Sequence, residues 1–194
     1  MERQNKQIKL FEKDILLFER DAQDVFSLVD FLDKQPKPET DKIALQLHML
    51  IMGSVISASL KHNYTNSILY KIFKHTPKEY TIDYLLQHLT VNELNEYAKL
   101  VFDLEGGNKK KRRTDGKQGS PVTNDVSIPL IMNKFYMTWD DVLRLPITKF
   151  RNLLHQAINI MSGEAGGEFQ FVDKDELIEQ EHEAFMETLN KQGK

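Results

Sequence analysis

A sixteen-residue stretch, GGNKKKRRTDGKQGSP at residues 106–121, constrains this chain of 194 residues more than any other feature. It contains four Gly and one Pro but no large apolar residue. Such a segment cannot bury enough surface to offset the entropy lost when it becomes ordered. We therefore expect a disordered basic linker over residues 106–125. The chain is then divided into an N-terminal domain (1–105), a second helical block (126–163) and an acidic tail (164–194).

Charge follows the same division. The formal net charge of the chain is −3, yet residues 105–120 carry six cations and two acids, a net +4. The tail over 164–194 carries nine acids and three lysines, a net −6. Opposite charges of this size would allow the tail to dock on the linker. Polar residues follow Met1 without an apolar run, which predicts a cytoplasmic protein without a secretory signal.

Apolar spacing predicts a mainly α-helical chain with a small N-terminal β-hairpin, an α+β class. The hairpin spans residues 7–20, with a turn near Glu12–Asp14, and Asp21 is a suitable N-cap for the helix that follows. The run 43–60 has no formal charge. Its Gln, His and Ser residues favour a buried central helix over a membrane span. Capping boxes beginning at Thr90 and Thr138 each open a further helix.

The rest of the second half has less regular patterns. The apolar segment over 126–136 is interrupted by Pro129, and a longer helix begins at Ile147 and ends near Gly163. The tail predicts a short strand at 169–171 and an acidic helix over 173–189. A thin apolar seam runs along that helix, formed by Ile178, Phe185 and Leu189.

No pattern of catalytic or metal-binding residues is visible. The chain has no Cys, which excludes disulfides, Cys-ligated zinc and a thiol nucleophile. Its six His lack the spacing of a metal pair, and phosphate-loop, dinucleotide and nucleophile-elbow motifs are absent. We therefore expect a protein that is not an enzyme and binds no cofactor or metal.

Two local features favour binding to a partner. The cationic run consists of Lys109, Lys110, Lys111, Arg112 and Arg113. It suits contacts with nucleic-acid phosphates or an acidic partner, although no aromatic residues that would stack bases lie within it. Trp139, the only Trp, begins a capped helix; it serves either core packing or anchoring of a protein partner.

Two segments carry a family resemblance. The first is the opening hairpin, Ile8-Lys9-Leu10-Phe11 and Leu16-Leu17-Phe18, followed by Glu19-Arg20-Asp21-Ala22-Gln23-Asp24-Val25-Phe26. The second is Trp139-Asp140-Asp141-Val142-Leu143-Arg144-Leu145-Pro146-Ile147-Thr148-Lys149-Phe150. Together with the helical domain between them, they resemble the tail assembly chaperones of long-tailed bacteriophages, over residues 8–104 and 138–162. The short second block and the acidic tail depart from the family pattern.

The resemblance implies a chaperone role in phage tail assembly. In that family the first domain coats the tape measure protein and the second recruits tail tube subunits. The residues expected to dock a partner are Trp139, Leu145, Pro146 and Phe150, with Phe26 and Phe31 as groove residues. Self-association stays open, and no membrane partner is expected. Two alternatives also stay open: a structural virion or adaptor protein, and a helical nucleic-acid-binding protein that uses the basic linker.

Overall fold

The computed structural model describes residues 3–65, 67–106 and 124–165. Within these ranges the chain is mainly helical and has one antiparallel two-stranded sheet, so the predicted fold class is confirmed. The elements are β1 (Asn5–Leu10), β2 (Lys13–Phe18), α1 (Ala22–Asp33), α2 (Asp41–Leu60), α3 (Ile68–Phe73), α4 (Ile82–His88), α5 (Val91–Leu104), α6 (Asn124–Phe135), α7 (Trp139–Leu143) and α8 (Ile147–Ala165). The predicted strand at 169–171, the acidic helix over 173–189 and most of the predicted linker lie outside them.

The chain folds as two compact units. Of the described residues, the first unit comprises 3–20 and 30–106, and the second comprises 21–29 and 124–165. The predicted N-terminal domain ran without interruption from 1 to 105. The structure instead groups the first eight residues of α1 with the second unit, because Ala22, Val25 and Val29 are buried in its core.

In the first unit the hairpin places one face against helices. Ile8, Leu10, Ile15 and Leu17 are buried at alternating positions, and Ile8 lies opposite Ile15 in the ladder. The turn is formed by Phe11 and Glu12, at φ 49° and 62°. Two consecutive positive φ angles are typical of the tight hairpin turns that match strand twist. The turn therefore precedes the predicted position by about one residue.

Helix α2 is the central helix of the first unit and packs against β2, α4 and α5. The helix is close to α4 because Gly53 has no side chain: a Cβ at that position would lie 3.2 Å from Leu86 Cδ2. By length and composition, 41–63 is the one candidate membrane span in the described part of the chain. Its packing against a sheet and two helices favours the predicted central helix.

A buried histidine in α2 is expected to make the stability of the first unit depend on pH. His48 is 6% exposed, and its Nε2 lies 2.8 Å from Asn95 Oδ1 on α5. Burial lowers the pKa of His48 below its ordinary value of 6.5, although the hydrogen bond to Asn95 opposes the shift. As the pH falls below 6.5, His48 takes up a proton in the unfolded chain before it does so in the folded chain. The neutral His48 therefore contributes stability above pH 6.5 that is lost as the pH falls.

We expect the His48→Gln variant to lose less stability on acidification than the wild type, because Gln keeps a donor toward Asn95 and does not titrate. Urea unfolding at about pH 7.5 and about pH 5.5 measures both losses, and the common carboxylate contribution cancels in the comparison. Equal losses in the two proteins would contradict this role for His48.

A fully buried ion pair connects the end of the hairpin to the end of α5. The side chains of Arg20 and Glu105 are 1% and 2% exposed. Arg20 Nε donates to Glu105 Oε1 at 2.8 Å and Nη2 donates to Oε2 at 2.7 Å. The Arg20 backbone N–H also donates to Oε1, at 3.1 Å, and the guanidinium lies 5.4 Å from the ring centroid of Phe102. Such bidentate geometry is the strongest form of this pair in proteins.

The second unit has its own apolar core, formed by the start of α1 with α6, α7 and α8. The Ala22 N–H donates to the Leu145 carbonyl at 2.9 Å, which connects the start of α1 to the α7–α8 turn. Helix α6 continues through Pro129, although the sequence suggested an interruption there. Pro129 is exposed and lies within the first two turns of the helix. Its missing N–H therefore removes one bond of the helix without exposing the core.

Candidate docking surface

The turn between α6 and α7 projects an aromatic side chain into solvent. Helix α6 ends at Phe135, and Tyr136 follows in the left-handed conformation at φ 54°. The Met137 N–H then donates to the Met132 carbonyl at 3.2 Å. This bond is typical of helix ends at which a left-handed residue, usually Gly, stops the helix. The left-handed conformation is less favourable for a Tyr than for a Gly. The Tyr136 side chain is nevertheless 95% exposed and adds little packing within the unit.

Helix α7 begins immediately afterwards with a capping box. Thr138 Oγ1 accepts from the Asp141 N–H at 3.2 Å, and Asp141 Oδ2 accepts from the Thr138 N–H, also at 3.2 Å. Hydrogen bonds from the Thr138 hydroxyl and then from its backbone N–H lower the pKa of Asp141. The carboxylate therefore stays charged at neutral pH. This cap fixes the position of Trp139, the first residue of α7.

An open apolar groove lies between these two elements. It measures about 610 Å³ and is lined by Pro129, Met132, Asn133, Tyr136, Met137 and Trp139. We call it the Trp139 groove. Trp139 is 49% exposed, so about half of the residue's surface is available to a partner. Exposed apolar surfaces with aromatic side chains of this kind are typical of protein contact sites.

The predicted docking residues separate into surface and core. Leu145 and Phe150 are 5% and 2% exposed, and Pro146 is also buried. Phe26 is half-buried and packs edge-to-face on Phe150, with ring centroids 5.0 Å apart. Of the Trp, Leu-Pro, Phe pattern, Trp139 alone lines the groove. The buried residues hold α7 and α8 together behind it.

The other predicted contact residues lie elsewhere. Phe31 belongs to the first unit and is 38% exposed. The cationic run Lys109, Lys110, Lys111, Arg112 and Arg113 lies outside the described residues.

The groove residues of α6 and the turn were not predicted. The apolar segment gives no local sign that Met132, Tyr136 and Met137 line a groove. The expected interruption at Pro129 also meant that a continuous helix α6 was not predicted. The signal that could have found them is the order of the residues: an apolar stretch ends in Tyr136, directly before the predicted capping box at Thr138. Such a sequence places one helix end beside the next helix start.

No group of three or more His, Asp or Glu that could hold a metal ion occurs among residues 3–65, 67–106 and 124–165. Comparison of the chain with protein-family models, curated proteins and solved structures finds no match. The Trp139 groove and the sequence resemblance are therefore the features of the chain that bear on its function.

Proposed function

We propose that this protein is a tail assembly chaperone of a long-tailed bacteriophage. In the host-cell cytoplasm it would hold the tape measure protein in solution and recruit tail tube subunits during tail morphogenesis. The observation that carries the proposal is the Trp139 groove. The one Trp of the resembling segment lies half exposed on an apolar surface of the second unit, where recruitment of a protein partner would occur.

The composition of the groove suits a chaperone. Met132 and Met137 have flexible side chains that adapt to different apolar partners. Tyr136 and Trp139 are residue types that contribute strongly to binding energy at protein interfaces. An amphipathic helix or an extended apolar segment would fit such a groove, and a groove that is open on one side allows the partner to leave when the tube polymerises.

The two units would bind different partners. The first unit exposes Phe31 and Ile43, at 38% and 46%, and would contact the tape measure protein. The second unit would contact the tail tube protein through the Trp139 groove. Two binding sites on one chain raise the effective concentration of one partner near the other.

Co-expression with the tagged tape measure protein and the tail tube protein encoded nearby tests the proposal. We expect the tape measure protein to stay soluble and to co-purify with both other chains. The Trp139→Ser variant should lose the tail tube protein by about tenfold or more while the tape measure protein stays soluble. Ile160→Ser is the matched control, since Ile160 is an exposed apolar residue of the same unit, at 42%, and does not line the groove.

Other outcomes point to the alternatives. If the tape measure protein stays insoluble and neither protein co-purifies, the proposal is wrong. Recovery of the chain in purified virions would then support a structural virion protein. Retention on DNA that falls steeply with salt, and that is lost when residues 109–113 are changed to Gln, would support nucleic-acid binding.

A further inference from the structure

Helix α3 gives the first unit a second exposed apolar surface. Ile72 and Phe73 are 64% and 70% exposed, more than any other large aliphatic side chain or Phe of the described residues. Lys71 precedes them, Lys74 follows, and both are exposed. We call these four residues the α3 surface. Two adjacent large apolar side chains with this exposure mark a contact surface when nothing in their own unit covers them.

The helix is anchored by other residues. Ser67 caps it by accepting from the Tyr70 N–H at 3.1 Å. The Tyr70 ring packs on Tyr64, whose ring stacks on Tyr80 with centroids 5.6 Å apart. Lys74 ends the helix in the left-handed conformation at φ 52°, and its ammonium lies 5.4 Å from the Tyr70 ring centroid. Because tyrosines hold α3 in place, Ile72 and Phe73 are available to a partner.

The stretch of sequence that contains the α3 surface is positive. Residues 61–78 contain four Lys and two His and no acid. The next acid along the chain, Glu79, pairs with Lys13 at 3.3 Å. The surface therefore suits a partner that combines an apolar face with negative charge.

The same chain contains a segment of that chemistry. Residues 173–189 carry seven acids and one lysine, and Ile178, Phe185 and Leu189 form the predicted apolar seam. We propose that this acidic segment docks on the α3 surface, with its seam over Ile72 and Phe73 and its carboxylates beside the flanking lysines. The basic linker could neutralise the charge of the segment, but it has no large apolar residue to cover the seam. This proposal is independent of the proposed function.

A labelled synthetic peptide of residues 168–194 tests the contact. It is titrated onto the full-length chain carrying Ile178→Ser, Phe185→Ser and Leu189→Ser, so that the chain's own segment does not compete. We expect saturable binding that weakens when NaCl rises from about 0.05 M to about 0.5 M. Ile72→Ser with Phe73→Ser, and separately Lys71→Glu with Lys74→Glu, should each weaken binding by about tenfold or more.

Two controls keep the test specific. Ile160→Ser removes an exposed apolar side chain outside both the α3 surface and the Trp139 groove, and should leave binding unchanged. Thermal unfolding of each variant shows whether it keeps its fold, which is expected because the substituted side chains are exposed.

The proposal is overturned if the peptide does not bind, or if the α3 variants bind normally. It is also overturned if changing residues 109–113 to Gln abolishes binding while the α3 variants retain it. Its failure leaves the co-expression result untouched, since the Trp139 groove is not involved.

Discussion

The Glu105→Ala variant should lose about 3–5 kcal/mol of unfolding free energy in the first unit. The carboxylate of Glu105 accepts two hydrogen bonds from the Arg20 guanidinium and one from the Arg20 backbone N–H. Its removal leaves a buried cation without this partner and a buried N–H without its acceptor. For each hydrogen bond that is lost, the donor that remains buried keeps its desolvation penalty without the compensating bond. At typical urea slopes the midpoint of the first unit should fall by more than about 1 M.

Hydrogen exchange of the hairpin amides measures this loss, because the hairpin belongs to the first unit. The matched control is Lys13→Ala, which removes an exposed ion pair with Glu79 in the same unit. Exposed pairs contribute at most about 1 kcal/mol, so the control should shift the midpoint little. If Glu105→Ala and Lys13→Ala have equal effects, the buried pair does not stabilise the unit as described.

Glu105→Gln separates the two parts of the loss. A Gln oxygen can still accept from the Arg20 backbone N–H, while the negative charge is gone. We expect an unfolding free energy between those of the wild type and Glu105→Ala, since the neutral amide pairs less strongly with the guanidinium. A Gln variant as stable as the wild type would show that the hydrogen bond, and not the charge, carries the effect.

The sequence predicted the local elements because their signals are local. Thr90 and Thr138 open their helices with capping boxes, as predicted, and both boxes are present. Each depends on groups no more than three residues apart. The hairpin was also predicted, because alternation of apolar residues shows which face is buried. Its turn was displaced, since Phe11 and Glu12 are not the Asn and Gly residues that usually mark such turns.

Contacts between distant segments could not be predicted. Arg20 and Glu105 are 85 residues apart, and nothing in either local pattern indicates that they pair. The apolar stripe of α1 has the same difficulty: Val25 and Val29 show that one face is buried, but not against which partner. The candidate site was predicted in part for the same reason. Trp139 was named as an anchor, while the side chains that complete its groove depend on how α6 meets α7.

The Phe150→Ala variant should lose about 3–5 kcal/mol of unfolding free energy in the second unit. Phe150 is 2% exposed and contacts the ring of Phe26 edge-to-face, so its removal leaves a cavity in a closely packed core. The fluorescence of Trp139 reports the transition directly, since it is the only Trp of the chain and belongs to the same unit. Phe150→Leu fills most of the cavity and should lose clearly less stability.

Phe150→Leu and Trp139→Ser together test how the resembling segment works. If Leu145, Pro146 and Phe150 support the groove from the core, Phe150→Leu should keep both the fold and the proposed binding of the tail tube protein. Trp139→Ser should keep the fold, by far-UV circular dichroism, and lose the binding, because Trp139 is half exposed. A Phe150→Leu variant that folds like the wild type but no longer binds would instead make Phe150 a direct contact. That result would require the second unit to open when its partner docks, since the ring is buried in the structure.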